Sequence, residues 1–139
     1  MMPKASQPPP VTPQQIDAIL PYLDAFERMG FTCGQWPDSG EDLIPHFEHS
    51  DPVDRFVQAL YDNGWIEPFD WTEWTDTAKQ LIDSPNRLAS ADATTIRRLL
   101  TTHVRQDRFC EGHLAAMFES GHIVAALRRL RDIRATMQP

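Results

Sequence analysis

Thr101-Thr102-His103-Val104-Arg105-Gln106-Asp107-Arg108-Phe109-Cys110-Glu111-Gly112-His113-Leu114 is the stretch on which the fold turns. It links an apolar run before it (Ile96, Leu99, Leu100) to another after it (Leu114, Met117, Phe118), with Phe109 taken into that second helix. Both runs have the three-and-four spacing of a buried helical stripe, so the stretch is a joint between helices. Two arginines, two histidines, two acids and a cysteine crowd into it. Were it helical throughout, Thr101, Arg105 and Arg108 would share a face, with Arg108 and Asp107 each within reach of Glu111. Gly112 would permit close helix approach. The expectation is a buried network in which Arg105 and Arg108 are held by loop carbonyls and by acids from the N-terminal half.

Downstream, Ser120-Gly121 stops one helix and His122 begins the last, with Ile123, Val124, Leu127, Leu130 and Ile133 as its stripe. Its other face is Arg128, Arg129, Arg131 and Arg134. Cations near a helix C-terminus meet the macrodipole favourably, so this cluster needs no ligand to explain it. Upstream, a helix starting near Ser90 or Asp92 carries Ile96, Leu99, Leu100 and His103 on one face, with Arg97 and Arg98 away from it.

The N-terminal part adds three more helices. Thr12-Pro13-Gln14-Gln15 has the capping-box pattern, and the stripe Ile16, Ile19, Leu20, Leu23, Phe26, Met29 follows it up to Gly30. Pro21 deletes one backbone bond inside that run, so one helix with a bend is expected. Asp51-Pro52 opens a second helix with Val53, Phe56, Val57, Leu60 and Tyr61 as its buried stripe, and Asn63-Gly64 ends it. Asp70 caps a third, Trp71 to Ile82, closed by Pro85. Trp65, Trp71 and Trp74 stand close together and are read chiefly as core anchors, with one indole available to a surface groove.

Between them, residues 31–50 lack any period and hold Gly34, Pro37, Gly40 and Pro45, which makes a long ordered loop. Trp36 and Phe47 can pack it. His46 and His49 are three apart, but no third ligand stands nearby, so no metal site is assigned.

A chain of 139 residues suits one domain, 12–136, behind a flexible Pro-rich tail, 1–11. The fold class is all-α: a single-domain bundle of about six short helices. No apolar run is long enough to cross a membrane, and the N-terminus lacks the apolar core of a secretory signal. Cys33 and Cys110 are far apart and are expected as reduced thiols in a cytoplasmic protein. The net charge of −7 conceals an asymmetry: residues 1–86 hold four basic and fifteen acidic side chains, residues 87–139 nine arginines and five acids. Mutual attraction of the two halves within one fold is the plain expectation, an anion-binding surface the alternative.

The run Leu99 to Leu114, with Gly121-His122-Ile123 and Leu127-Arg128-Arg129-Leu130, resembles the signature of a small prokaryotic family catalogued as domain of unknown function 6508. Phe56-Val57, Tyr61 to Ile66 and Phe69-Asp70-Trp71 extend the resemblance, which spans roughly residues 15–135. It implies a compact helical fold and carries no catalytic residue, substrate or cofactor.

No catalytic constellation assembles: Cys110 is the one nucleophile near His103 and Glu111, and neighbouring side chains on a helix diverge. No glycine-rich phosphate loop occurs. The leading expectation is therefore a module that binds a protein partner, with Arg97, Arg98, Arg128, Arg129, Arg131 and Trp36 as its candidate surface. The alternative places a phosphate-containing or other anionic ligand at His103, Arg105, Arg108 and Glu111. Nucleic-acid binding is opposed by the negative charge. The converse, an acidic mimic of nucleic acid, would use Asp38, Glu41, Asp42, Glu48, Asp51 and Asp54. No cofactor is called for.

Overall fold

The computed structural model describes residues 10–28, 31–35 and 48–137. Among them the order is α1 (Pro13–Ile19), α2 (Pro21–Glu27), β1 (Gly34–Gln35), β2 (Glu48–His49), α3 (Asp51–Asp62), a 3₁₀ turn (Trp71–Trp74), α4 (Thr75–Asp83), α5 (Pro85–Ala89), α6 (Ala93–Asp107), α7 (His113–Glu119) and α8 (His122–Thr136). The chain is all-α; the two strands are a two-residue antiparallel pairing, Gly34 with His49 and Gln35 with Glu48. Most of the 31–50 connection lies outside the described residues, Trp36, His46 and Phe47 included.

Pro21 splits the first helical run rather than bending it. Thr12 and Gln15 form the capping box of α1, Leu20 N–H still donates to Ile16 O at 3.0 Å, and Leu23 N–H then turns back to Leu20 O at 2.9 Å. The missing amide of Pro21 is harmless once it becomes the first residue of α2. Pro85 likewise opens α5 instead of closing the chain behind α4. Asp70 caps the 3₁₀ turn, accepting from Thr72 N–H at 3.1 Å, and α3 takes Ser50 as its N-cap, with Asp51 already in the first turn.

The core runs through all of these helices. Ile16, Ile19, Val53, Phe56, Leu60, Ile96, Leu99, Ile123, Leu127 and Leu130 are fully buried. Phe26 meets Phe56, Phe31 and Phe118 with ring centroids 5.1, 5.2 and 4.8 Å away, which fastens α2 to α3 and α7. Val11, expected in the tail, is 7% exposed and belongs to this core. Residues 1–9 lie outside the described residues.

Trp65 is the anchor among the tryptophans. It is fully buried, and its Nε1–H donates to the Gln15 carbonyl at 2.9 Å, so its polar edge is satisfied as its ring fills the core. Trp71 and Trp74 are half-buried.

Part of the charge asymmetry of the sequence is answered within the fold. Arg128 donates to Glu27 from Nε at 2.8 Å, and Arg134 to Asp17 at 2.9 Å. Arg97 and Arg98 place Nε 3.7 and 3.6 Å from Glu67 Oε1. Each pair joins the basic second half to the acidic first.

Candidate functional site

Three histidines meet where α6, α7 and α8 converge. His103 Nδ1 lies 3.0 Å from His113 Nε2, and His103 Nε2 lies 3.0 Å from His122 Nε2. The rings form a chain, His113–His103–His122, with His103 in the middle using both nitrogens. His103 is 1% exposed.

Local sequence explains how the rings arrive there. His103 shares the buried stripe of α6 with Ile96, Leu99 and Leu100. His113 and His122 each open a helix directly after a glycine, Gly112 at φ 90° and Gly121 at φ 83°. That left-handed conformation strains a residue with a Cβ, so two Gly-His pairs turn two helices toward one buried ring.

The chain favours neutral imidazoles. Burial drives His103 well below the ordinary imidazole range, and the charges His122 and His113 would carry add to the effect. Burial lowers His113 as well, with Asp107 opposing it. His122 is lowered to about 4, by burial first and then by His113. Both outer rings sit at helix N-termini, where the positive end of the peptide dipoles also resists protonation.

The geometry does not converge on a metal. His103 points different nitrogens at its two neighbours, so no single point is shared by three donors, and among the described residues no His, Cys, Asp or Glu group is arranged to hold an ion.

Above the chain, α6 ends at Asp107, and Arg108 to Gly112 form a non-helical turn. The stretch from Leu100 to Leu114 is thus a joint between two helices, as expected, and the spacings to Glu111 that an unbroken helix would give do not arise. Cys110 N–H and Phe109 N–H fold back to Gln106 O at 2.8 and 3.0 Å, satisfying a carbonyl that the stopped helix would orphan. Asp107 accepts from Leu114 N–H at 2.9 Å and so caps α7. His49 Nε2 stands 3.7 Å from the other oxygen of that carboxylate, while its Nδ1 is 3.9 Å from Asp54.

The turn itself is bare. Phe109, expected within the following helix, is 77% exposed in the turn, resting against Trp71 with ring centroids 5.7 Å apart. Tyr61, expected on the buried stripe of α3, is 42% exposed. Arg108 and Cys110 are exposed too. A groove of about 590 Å³ runs beside it, lined among others by Tyr61, His49, Asp54, Asp107 and Arg108.

The sequence-derived site is thus dispersed. His103 turns inward to the other rings, Arg108 and Glu111 lie on the surface, and Arg105 is half-buried. Neither the Arg105 nor the Arg108 side chain has a hydrogen bond or ion pair among the described residues. The expected inward locking is corrected: α6 stops before Arg108, so that side chain leaves with the turn. The locking arginines are Arg97, Arg98, Arg128 and Arg134.

Of the candidate partner surface, Arg97 is 2% exposed and no surface residue at all. Arg98 is shared between Glu67 and the Phe69 ring, 5.5 Å beneath its guanidinium. Arg128 is paired with Glu27, and Arg129 donates to Ala91 O at 2.8 Å. Arg131 alone of that set is exposed with no such partner among the described residues. Asp51 and Asp54 are exposed, whereas Asp38, Glu41 and Asp42 lie outside the described residues. His113 and His122 escaped sequence reasoning as site residues; the repeated Gly-His pair was the available signal.

A family of unknown function, DUF6508, matches residues 11–136. The chain belongs to that family. The match takes in Val11, the histidine chain and every helix of the DUF6508 fold described above. No curated protein and no solved structure matches the chain. No helix among the described residues is long and apolar enough to cross a membrane.

Proposed function

We propose that the protein works by binding a partner protein through the turn between α6 and α7, with Phe109 as the anchor. One observation carries this: a phenylalanine 77% exposed at the tip of an ordered turn. Aromatic and arginine side chains dominate binding energy where proteins meet. Phe109 is backed by Trp71 and flanked by Arg108, with Tyr61, 42% exposed, across the adjoining groove. The partner should offer an apolar socket for Phe109 and a carboxylate for Arg108.

An anionic small ligand is a weaker second use of the same turn, because Asp54 and Asp107 line the groove into which Arg108 reaches. Nucleic acid fits less well still, with most of the arginine stripe paired internally. The setting is taken as cytoplasmic, since the exposed, free Cys110 suits a reducing compartment.

The test is photo-crosslinking in the native host with benzoylphenylalanine at position 109 or, as a control, at Lys79 on α4. A discrete adduct at 109 alone, lost when Arg108→Glu is added, is expected. No adduct at 109, or the same adducts at both positions, would overturn the proposal.

A further inference from the structure

The histidine chain has a proton capacity set by its geometry. Two ring-to-ring contacts use four nitrogens and need one proton each, in a set of six nitrogens that carries three protons when neutral. The neutral chain therefore satisfies both contacts, with its third proton on the outer nitrogen of His113 or His122. One added proton still fits, because the other outer nitrogen can take it. A second added proton sets N–H against N–H at one contact, and hydrogen bonding there becomes repulsion.

We propose that the three rings form a pH-operated clasp: the second proton taken up by the chain forces the His103–His113 contact, the one at its most exposed ring, apart and frees the start of α7. The helix it would free is short, seven residues. Beyond its packed face, α7 is held at its start by the Asp107 cap and by His113. The charged groups acting on the rings are the rings themselves, from α6, α7 and α8, and Asp107 at the end of α6. Asp107 is the sole carboxylate in that set, and His49 from β2 stands 3.7 Å from it as well, so one counter-charge, already shared with a third imidazole, faces two added protons. His113, the most exposed of the three by its position beside the turn, is the port of entry.

The clasp and the exposed turn share Asp107 and His113, so releasing α7 would also loosen the backbone that presents Phe109. The clasp itself does not depend on partner binding, and its test uses no partner.

Amide hydrogen exchange on the whole chain, corrected for intrinsic rates, compares about pH 7 with about pH 4.5. Protection of the α7 amides should fall about tenfold or more while α3 amides keep theirs. In a His113→Gln variant, which keeps a donor and an acceptor but cannot titrate, the α7 step should vanish. Should that variant fail to fold, nitrogen-15 spectra of the wild-type rings decide. Rings that resist protonation at mildly acidic pH and then titrate together support the clasp. Equal loss of protection in α3 and α7, no loss in either, an unchanged step in the folded variant, or three rings titrating independently at ordinary values would each overturn it.

Discussion

His103 Nδ1 and His113 Nε2 face each other across 3.0 Å, one from the middle of a long helix and the other from the first residue of the next. One of the two nitrogens must carry the proton and the other must not. Besides its own backbone bonds, the turn between them is spanned by that single exchangeable hydrogen and by the Asp107 cap.

Stability should fall on acidification from neutral pH. The three histidines are lowered in the folded chain, His122 to about 4, whereas the unfolded chain binds protons near the ordinary value of about 6.5. Between those values the unfolded state holds more protons, so stability rises with pH. It should be complete above about pH 6.5 and drain away toward pH 4, seen as a falling Tm. A Tm flat across that window would contradict the neutral chain.

Glu67→Ala should be severely destabilising. Glu67 is the counter-charge for Arg97, which is 2% exposed, and an uncompensated buried guanidinium costs about 3–5 kcal/mol. Replacing both with Met and Leu should recover much of that loss. Arg128→Ala, at a half-exposed pair, should cost less than about 1 kcal/mol. Urea unfolding of the four chains checks the order.

Arg108→Ala and Phe109→Ser should leave the folded state almost untouched, within about 0.5 kcal/mol, because neither side chain is buried. A Tm drop of several degrees in either would mean the turn is part of the core and would remove the anchor from the proposed interface.

Trp65→Phe should cost about 1–3 kcal/mol, since the Gln15 carbonyl loses its donor from Nε1 in a partly buried site. Gly64→Ala next to it should be destabilising as well. Gly64 sits at φ 74°, and a Cβ there would stand 3.0 Å from Gln15 Nε2. Chemical denaturation of both variants tests whether this corner ties α1 to the segment after α3.

Much of the architecture was legible because it rests on local chemistry. The capping box at Thr12, the prolines at helix starts, the Gly121-His122 boundary and the apolar stripes of α3, α6 and α8 are short-range patterns. Pro21 was legible as a bend and Pro85 as a stop, but neither as the start of a helix, α2 or α5. The same missing N–H serves to end one helix or begin another, and neighbours in space decide which.

The sequence by itself determined an all-helical chain, a His103 on the apolar face of its helix and the attraction between an acidic front and an arginine-rich back. Tertiary structure decided which arginines answer which acids, that Arg97 lies inside and Arg108 outside, and that His113 and His122 close on His103. These choices depend on where α6 stops and how α7 and α8 return. The angle of a glycine turn and the packing of residues far apart in sequence set that geometry, and neither is written in the spacing of any one segment.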